Sequence, residues 1–365
     1  MTPTPPSARA DARVRRAIAE GARVVFSLSG GKDSAAAAFA ASLWLDGVGH
    51  PHELRSAIHA DLGMIEWKST PRLVEMTAEK LAVPLSVVRR KAGGLISRWE
   101  QRWKSSLARY EDLTTYQLVS PWSSAKLRYC TSETKVAPIG AHLRRELAGE
   151  TILSVVGIRR EESRARSSEP ISKADTRFAA EANRAGTRMI TWHPVIDWTA
   201  SQVFALHEAA GIELHEAYNM GATRLSCSFC VLAGMNNLAV SAASPGNYDS
   251  YRRIVALECQ SAFSFQPDRW LADVAPGLLS HQSSGSSMRA RDMATRRRAL
   301  EARLPADLRF RRGWPPRVPS LAEANTIAEV RAELLETYKL KNRWATAADV
   351  RERFAELHST RKATA

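Results

Sequence analysis

The sequence has few cysteines, no long apolar run and no apolar core near its N-terminus, and each shortage excludes a class of protein. Four cysteines in 365 residues are too few for a disulfide scaffold. The longest strongly apolar run, Ala35 to Leu45, ends at Asp46 and is too short to cross a bilayer. The first residues, MTPTPPSARADARVRR, lack a signal-peptide core, so we predict a disordered or helical lead-in over 1–20. Together these shortages predict a soluble, cytoplasmic protein with no membrane partner.

Positive charge, by contrast, is in excess and unevenly spread. The formal net charge of +14 favours an anionic partner. Between Arg289 and Arg317 the chain has ten Lys or Arg residues against three Asp or Glu. Region 289–317 is therefore either a nucleic-acid-binding segment or a solvated basic helix face, and its composition leaves both interpretations open.

Strand and helix patterns alternate along the chain. Apolar, β-branched runs predict strands, and Ala- and Leu-rich or helically spaced runs predict helices. The predicted strands are Ala22–Ser29, Leu54–Ala60, Leu85–Arg89 and Thr151–Val156; the helices are Lys32–Leu45, Thr70–Leu81 and Ala200–Ala210, the last preceded by a connection, Trp192–Trp198, and capped by Thr199. This alternation predicts an α/β fold, a Rossmann-like parallel sheet with helices on both faces.

The composition changes near residue 280. The serine- and glycine-rich stretch Ser283–Ser287 predicts a linker or loop. Two helical patterns come last, at about Leu321–Leu340 and Ala347–His358. We therefore predict a main domain over 21–280 and a basic, mainly helical C-terminal region over 281–365.

The segment Ser29-Gly30-Gly31-Lys32-Asp33-Ser34 joins the first predicted strand to the first long helix. Paired glycines let a backbone approach an anion closely and turn its N–H groups toward it. The helix N-terminus adds further donors and the positive end of its dipole. The spacing differs from a Walker loop, yet every part of it favours phosphate binding.

Three further segments, read with this loop, give a resemblance to a known family. They are His59-Ala-Asp-Leu-Gly63, Gly157-Ile-Arg-Arg-Glu-Glu-Ser163, and Pro194–Trp198 followed by Gly221-x-x-Arg-x-x-Cys227-x-x-Cys230. Over about residues 20 to 240 the chain resembles the phosphoadenosine phosphosulfate (PAPS) reductase family of the adenine nucleotide alpha-hydrolase (PP-loop ATP pyrophosphatase) superfamily. It is similar to DNA phosphorothioation and phage-type members. One departure is Leu62, where the family usually has Thr.

The resemblance implies a nucleotide site and its residues. The implied ligand is ATP, PAPS or adenylyl sulfate (APS), with Mg²⁺. The implied nucleotide-binding residues are Ser27, Ser29, Gly30, Gly31, Lys32, Asp33, Ser34, Asp61, Gly63 and Gly157, and the implied catalytic residues are Lys32, Asp33, Arg159 and Arg160. Arginine forks match phosphate oxygens bidentately. A surface ion-pair cluster with Glu161 and Glu162 is the alternative for the two arginines.

The cysteines suggest a metal centre without completing one. Cys227 and Cys230 have metal-ligand spacing, and Cys130 is the obvious third ligand. Sulfate-reducing relatives carry tandem cysteines at the Cys130 segment and bind an iron–sulfur cluster, whereas here Thr131 replaces the second cysteine. A [4Fe–4S] cluster on three cysteines, a fourth ligand from Cys259 or a histidine, and a metal-free, buried or redox-active thiol pair remain open.

Three functions fit these patterns. The first is a PP-loop ATP pyrophosphatase that adenylylates a substrate and supports sulfur incorporation into nucleic acid, with a cysteine desulfurase or thioredoxin-like protein as sulfur donor. The second is a PAPS or APS reductase, although Glu258-Cys259 is followed by Gln260 and about a hundred further residues, unlike the cysteine tail of true reductases. The third is a nucleotide-dependent nucleic-acid-binding module without turnover.

Overall fold

The computed structural model describes residues 6–310 and 314–364, and the side chains of 361–364 are not considered. Within these residues the chain divides into two compact units. The first unit comprises Met1–Leu95 and Ser124–Ser250, and the second comprises Ile96–Ser123 and Tyr251–Ala365. The predicted domain boundary near residue 280 stays a prediction.

Six strands and thirteen helices form the described structure. The strands are β1 (Arg23–Leu28), β2 (Arg55–Asp61), β3 (Leu85–Arg89), β4 (Thr151–Val155), β5 (Ser172–Ala174) and β6 (Arg188–Trp192). The helices are α1 (Ala12–Ala19), α2 (Lys32–Gly47), α3 (Thr70–Lys80), α4 (Leu95–Glu111), α5 (Tyr129–Thr131), α6 (Ala137–Glu146), α7 (Ala200–Ala209), α8 (Glu216–Asn219), α9 (Met235–Ala243), α10 (Tyr248–Ser261), α11 (His281–Ala302), α12 (Leu321–Thr337) and α13 (Ala347–Thr364). A π-helical segment, Ser132–Val136, joins α5 to α6.

The sheet of the first unit has the order β3-β2-β1-β4-β6-β5. All neighbouring pairs are parallel except β5, which is antiparallel to β6. The chain moves outward from β1 to β2 and β3, then crosses to β4 on the other side of β1. In open α/β sheets, ligands bind outside the carboxyl ends of the strands at such a reversal. The topology therefore places a candidate crevice between the ends of β1 and β4.

Side chains that alternate along β1 build a core on each face of the sheet. Val24 and Phe26 join one apolar cluster with residues of α2 and α7, and Val25 joins another with Leu143 of α6. Because successive strand residues point to opposite faces, this pattern requires helices on both sides. The predicted α/β fold with a Rossmann-like, mostly parallel sheet and helices on both faces is confirmed.

The C-terminal part of the second unit is helical, as predicted, but one local prediction is wrong. Ser283–Ser287 lies inside α11 and is not a linker. The Ser280 side chain caps this helix by accepting a hydrogen bond from the Ser283 N–H, and Ser287, Ala290 and Ala294 are buried. The cap and the packing overcome the low helix propensity of glycine and serine. None of the helices in the described part of the chain is long and apolar enough to cross a membrane.

Candidate functional site

The phosphate loop lies at the carboxyl end of β1, where the chain turns into α2. Gly30 has a φ of +68°, a conformation that favours glycine. The Ser29 N–H donates to Ser34 Oγ at 3.2 Å, and Ser34 Oγ donates to the Gly31 carbonyl at 2.8 Å. Among the described hydrogen bonds, none uses the N–H groups of Gly30 and Gly31. The loop is thus held by its own serines while two backbone donors remain for an anion.

A cavity of about 390 Å³ opens beside this loop. Its wall on the loop side contains Ser27, Ser29, Ser34 and Gly157 from the ends of β1 and β4. Ser27 Oγ lies 3.5 Å from Ser154 Oγ, which joins the two strands at the point where the sheet order reverses. The size suits a small ligand, and the position is the one that the topology predicts.

The predicted charged residues Lys32, Asp33 and Arg159 pair with one another and are not among the residues that line the cavity. Lys32 and Arg159 have side chains only 5% exposed, and both pair with Asp33. Lys32 Nζ donates to Asp33 Oδ2 at 2.8 Å, and Arg159 Nε donates to Asp33 Oδ1 at 2.7 Å. Burial by itself raises the pKa of Asp33, but the charges and hydrogen bonds of Lys32 and Arg159 outweigh it and lower the pKa. Asp33 is therefore held ionised between two cations.

This triad joins the phosphate loop to the segment after β4. A Cβ on Gly157 would lie 2.2 Å from the Asp33 carbonyl oxygen, so only glycine lets the two backbones approach this closely. Lys32 Nζ also lies 5.6 Å from the centre of the Tyr218 ring. Burial raises the pKa of Tyr218 to about 12, so its hydroxyl stays protonated. The contacts of these buried charged side chains thus hold the phosphate loop in its conformation.

The remaining predicted residues are held by protein partners. Arg160 donates to the Glu169 carbonyl at 2.9 Å and pairs with Asp197. Asp61 accepts from the Gly63 N–H at 2.6 Å and pairs with Arg89. In the arginine cluster Arg159 also pairs with Glu161 and Arg166 pairs with Glu162, which is the ion-pair arrangement that the sequence left open. The catalytic and binding roles of Arg160, Asp61 and Gly63 stay predictions.

The cavity lining also carries charged side chains that the sequence analysis did not select. It contains Lys135, Lys173, Arg177, His193 and the pair His59–Glu66. Lys173 pairs with Glu169 and Arg177 with Asp175. His193 belongs to the turn that follows β6, a strand that no pattern in the sequence analysis predicted. Placing β6 in the sheet would have brought His193 to the same edge as the loop.

A histidine and a glutamate form a buried pair at the end of β2. His59 Nε2 lies 3.1 Å from Glu66 Oε1, and His59 Nδ1 lies 2.9 Å from the Leu28 carbonyl oxygen. Burial by itself lowers the pKa of His59, but the hydrogen bond and charge of Glu66 outweigh it and raise the pKa. The pair therefore adds an ionisable contact to the cavity next to the end of β1.

Lys135 reaches the cavity through the π-helical turn Ser132–Val136. One extra residue in a helical turn rotates the following side chains, and such segments often occur at functional sites. Thr131 and Val136 line the cavity from the same segment. Spacing alone could not have shown this, because a regular helix over these residues would present a different face.

The Cys227 segment forms part of the cavity wall. Cys227 lines the cavity, and its thiol donates to the Phe229 carbonyl at 4.0 Å. Interaction with the Cys227 side chain lowers the pKa of Cys230 to about 6, and interaction with Cys230 together with burial raises the pKa of Cys227. Cys130 acts electrostatically on Cys227. All four cysteines are free and half-buried. Cys259 belongs to the second unit, and burial raises its pKa to about 11.

The described residues contain no preformed cluster of ligands for the metal groups that the resemblance implies. Among the described residues, no group of three or more His, Cys, Asp and Glu side chains could hold a metal ion. The carboxylates nearest the loop, Asp33, Glu66 and Asp175, are each paired with a cationic or histidine side chain. The assignment of Cys130, Cys227 and Cys230 as metal ligands stays a prediction.

Comparison with known proteins gives the family. The model of the phosphoadenosine phosphosulfate reductase domain matches residues 23–233, more than half of the chain. This chain belongs to that family. The family implies a nucleotide substrate and suggests an enzyme, and the matched span contains the phosphate loop, the cavity and the Cys227–Cys230 pair.

Two individual proteins are also similar to this family member. One is an "uncharacterized 37.8 kDa protein in gpa 5′region" of Escherichia phage 186, 28% identical over 167 residues, or 45% of this chain and 43% of that protein. The chain thus matches less than half the length of this relative. The other is the crystal structure of phosphoadenylyl-sulfate reductase from Candida auris in a phosphate complex. It is 15% identical with a TM-score of 0.37, and the match covers 61% of this chain and 98% of that one.

Proposed function

We propose that this protein is an enzyme that binds ATP in the cavity beside Ser29–Ser34 and cleaves it between the α- and β-phosphates. The observation that carries the proposal is the position of the loop: Ser29 and Ser34 line the cavity where the sheet order reverses, and the N–H groups of Gly30 and Gly31 between them have no partner among the described hydrogen bonds. Helix N-termini and glycine-rich turns attract phosphates at such positions.

The groups that line the cavity suit two parts of the reaction, the binding of the phosphates and the departure of pyrophosphate. The N–H groups of Gly30 and Gly31, the loop hydroxyls and the α2 dipole would hold the phosphates. Lys135, Lys173 and Arg177, which also line the cavity, would offset charge that develops as pyrophosphate leaves. An acceptor oxygen bonds to the α-phosphorus while the bond from the α-phosphorus to the pyrophosphate oxygen breaks. Catalysis is positioning and charge stabilisation, as in other phosphoryl transfers.

The adenylylated product would serve sulfur transfer. A sulfur nucleophile displaces AMP from the activated acceptor, with a cysteine desulfurase or thioredoxin-like protein as donor and nucleic acid as acceptor. The charge of +14 supports an anionic acceptor. Within the described part of region 289–317, Arg291, Arg296 and Arg303 each pair with a carboxylate. These pairs favour the ion-paired helix face over a dedicated nucleic-acid surface. Arg311 and Arg312 lie outside the described residues.

Sulfonucleotide reduction is the second candidate, and Cys227 in the cavity wall is the observation that favours it. A cavity thiol could attack a sulfonyl sulfur without help from Cys259. The raised pKa of Cys259 argues against that residue as the nucleophile, because the thiolate is the reactive form.

One set of measurements tests both candidates. Affinities for ATP, PAPS and APS are compared by calorimetry, and pyrophosphate and sulfite release are followed with DNA, RNA or a dithiol reductant present. We expect ATP binding and pyrophosphate release that is lost in Ser34→Ala and kept in a matched exposed variant, Ser359→Ala. Sulfite release without pyrophosphate would replace the first candidate by the second. Salt-dependent nucleic-acid binding with neither product would favour a binding module without turnover.

A further inference from the structure

We propose that His193 is the general base of the reaction in this cavity, and that its Nε2 atom takes the proton of an acceptor hydroxyl group or water molecule. This role rests on the proposed cleavage of ATP between the α- and β-phosphates. It deepens that proposal by naming the residue that activates the acceptor and the class of acceptor. An acceptor oxygen that carries a proton needs a base, whereas an ionised phosphate or carboxylate oxygen needs none.

The row of side chains that ends at His193 faces the cavity. Met189 and Thr191 of β6 line the cavity, and so does His193, two positions further along the chain. Alternate residues of a strand point to the same face of a sheet, so His193 continues this row just beyond the end of β6. The His193 N–H donates to the Ile171 carbonyl at 2.8 Å, which extends the pairing with the β5 side as far as the histidine. The residue is only 2% exposed.

One hydrogen bond determines which nitrogen of the His193 ring carries the proton. His193 Nδ1 lies 2.8 Å from the Pro170 carbonyl oxygen. Because a carbonyl oxygen can only accept, Nδ1 must donate. In the neutral ring Nε2 then has a free lone pair, and none of the described hydrogen bonds uses Nε2. The neutral imidazole is therefore held as a base whose acceptor nitrogen is unoccupied.

The other histidine of the cavity lining, His59, has the same kind of anchor but a different second partner. Its Nδ1 lies 2.9 Å from the Leu28 carbonyl oxygen, and its Nε2 lies 3.1 Å from Glu66 Oε1. Burial by itself lowers the pKa of His59, but Glu66 outweighs it and raises the pKa. The Nε2 of His59 thus keeps a proton beside a carboxylate and has no lone pair for a substrate. Of the two cavity histidines, His193 is the one that suits a base.

The charges around His193 favour its neutral form. Burial lowers the pKa of His193, and the hydrogen bond to the Pro170 carbonyl opposes this effect. Lys173 on β5 and Arg166 in the segment before β5 lower the pKa further, whereas Glu169 raises it. The net direction is below the ordinary value of 6.5, so the neutral ring predominates at neutral pH. The other charged side chains of the cavity lining are Glu66, Lys135, Asp175, Arg177 and the protonated His59.

The sheet order separates His193 from the phosphate loop by a useful distance. β4 lies between β6 and β1, so the end of β6 is two strands away from the end of β1. Two strand spacings are about 10 Å. This separation leaves room for a phosphate and an acceptor oxygen between the loop and the imidazole.

The proposed step balances in protons and electron pairs. The proton of the acceptor O–H group moves to His193 Nε2 as the acceptor oxygen bonds to the α-phosphorus. The bond from the α-phosphorus to the bridging oxygen breaks, and pyrophosphate leaves with that electron pair. The imidazolium ring afterwards gives the proton to water, which restores the neutral base.

The first test separates catalysis from binding. Pyrophosphate release from ATP, with water as the acceptor, is measured in single turnovers between pH 5 and pH 9. The variant His193→Asn keeps an amide N–H near the position of Nδ1 but has no basic nitrogen. We expect it to slow release about 100-fold or more with ATP affinity unchanged by calorimetry, and added imidazole should restore part of the rate.

The pH profile gives a second readout of the same reaction. The wild-type rate should rise with pH through the pKa of His193 and then level off, because only the neutral ring accepts a proton. His193→Asn should lose this rise. The matched control is His52→Asn, since His52 is exposed and lies outside the cavity lining. This control should keep both the wild-type rate and the wild-type profile.

A further measurement needs no turnover. In the full chain labelled with ¹⁵N-histidine, the ring nitrogen chemical shifts distinguish an N–H nitrogen from one with a free lone pair. The His193 signals are assigned by their absence from His193→Asn. At pH 7.5 we expect a protonated Nδ1 and an unprotonated Nε2 for His193.

Three results would overturn the role of His193 while ATP cleavage itself stood. They are a wild-type rate and pH profile in His193→Asn, a joint loss of rate and ATP affinity that imidazole does not restore, and a proton on Nε2 at pH 7.5. If the wild-type protein released no pyrophosphate, the proposed ATP cleavage would fail and this role with it. Circular dichroism compares the folding of the variants, and His193→Gln replaces His193→Asn if the latter does not fold.

Discussion

Two groups of buried charged side chains, one in each unit of this chain, have different kinds of partner. In the first unit Lys32, Asp33 and Arg159 pair with one another, side chain to side chain, behind the phosphate loop. In the second unit Glu258 is fully buried and accepts hydrogen bonds from three backbone N–H groups, those of Phe265, Leu271 and Ala272, at 2.7, 2.8 and 3.2 Å. The first group holds the phosphate loop beside the cavity. The second group, Glu258, fixes the backbone at Phe265, Leu271 and Ala272.

This difference between side-chain and backbone partners indicates which buried charged side chains belong to a functional site. Backbone partners cannot move without local unfolding, so the three N–H donors hold Glu258 in one position. Arg331, also fully buried, likewise donates to the carbonyls of Tyr110 and Glu111. A side-chain triad can rearrange when a phosphate arrives, because its partners are themselves mobile side chains. Substitutions in the first unit should therefore change ligand binding and stability together, and those in the second unit should change stability alone.

The largest effect that would test this distinction comes from Asp33→Asn. Removing the carboxylate leaves Lys32 and Arg159 buried without their shared counter-charge, which we expect to cost about 3–5 kcal/mol of unfolding free energy and to abolish ATP binding. The depressed pKa of Asp33 gives the pH dependence. Its contribution to stability is present above its unfolded-state pKa and is lost as the pH falls through the lower folded-state value. Urea unfolding at several pH values and calorimetry with ATP measure both effects. Wild-type affinity in a destabilised variant would contradict the link between the triad and the loop.

In the second unit the matching test is the pH dependence that Glu258 imposes. Burial raises the pKa of Glu258 from 4.5 to about 7, despite its three N–H donors. Between these two values the unfolded chain has released the proton while the folded chain keeps it, so stability falls as the pH rises. We expect a loss of up to about 3 kcal/mol between pH 4.5 and pH 7, with ATP affinity per folded molecule unchanged.

The control for this pH effect is Glu258→Gln, which cannot ionise. Its unfolding free energy, measured with urea across the same range, should lack the wild-type slope. If the variant kept the slope, Glu258 would not be its source. If the variant lost ATP binding while still folded, the separation between the two units would fail.

Gly157 allows a test of the same comparison through a backbone contact of the first unit. A methyl group there would meet the Asp33 carbonyl oxygen at 2.2 Å and Ser34 Cα at 2.6 Å. Neither atom belongs to a flexible side-chain end, so Gly157→Ala must push the β4 segment away from the loop. We expect a loss of about 1–3 kcal/mol in stability and at least tenfold weaker ATP binding by calorimetry. Gly47→Ala is the matched control, since a Cβ there meets nothing within 4 Å. Equal behaviour of the two variants would show that the close contact is dispensable.

Most of the sheet could be predicted from the sequence, but only part of the site. β1, β2, β3 and β4 follow from short β-branched runs, and Leu85–Arg89 agrees with its predicted bounds. Ser27, Ser29, Ser34 and Gly157 were selected by motif and line the cavity. Lys32 and Arg159 were selected by the same motifs, but a motif does not show on which side of a loop a long side chain lies.

The charged residues Lys135, Lys173 and Arg177 of the cavity lining could not be predicted from the sequence, for a physical reason. Lys135 depends on a π-helical turn, and Lys173 and Arg177 depend on the edge strand β5, only three residues long. Neither feature has a periodic sequence signal. The ends of secondary-structure elements place such side chains, and these ends are set by packing that is distant in sequence.

The smallest expected effect concerns how bound nucleotide protects a thiol. Because Cys227 lines the cavity and Cys259 belongs to the other unit, saturating ATP should slow alkylation of Cys227 by iodoacetamide severalfold and leave Cys259 unchanged. Mass-spectrometric peptide counting on the reduced full chain follows each cysteine in one experiment, so Cys259 is an internal control. Protection must disappear in Ser34→Ala at the same ATP concentration, because that variant keeps the thiol but weakens the phosphate loop. If Cys227 and Cys259 were protected to the same extent, a general tightening of the protein would explain the result. The cavity beside Cys227 could then no longer be identified as the site where the nucleotide binds.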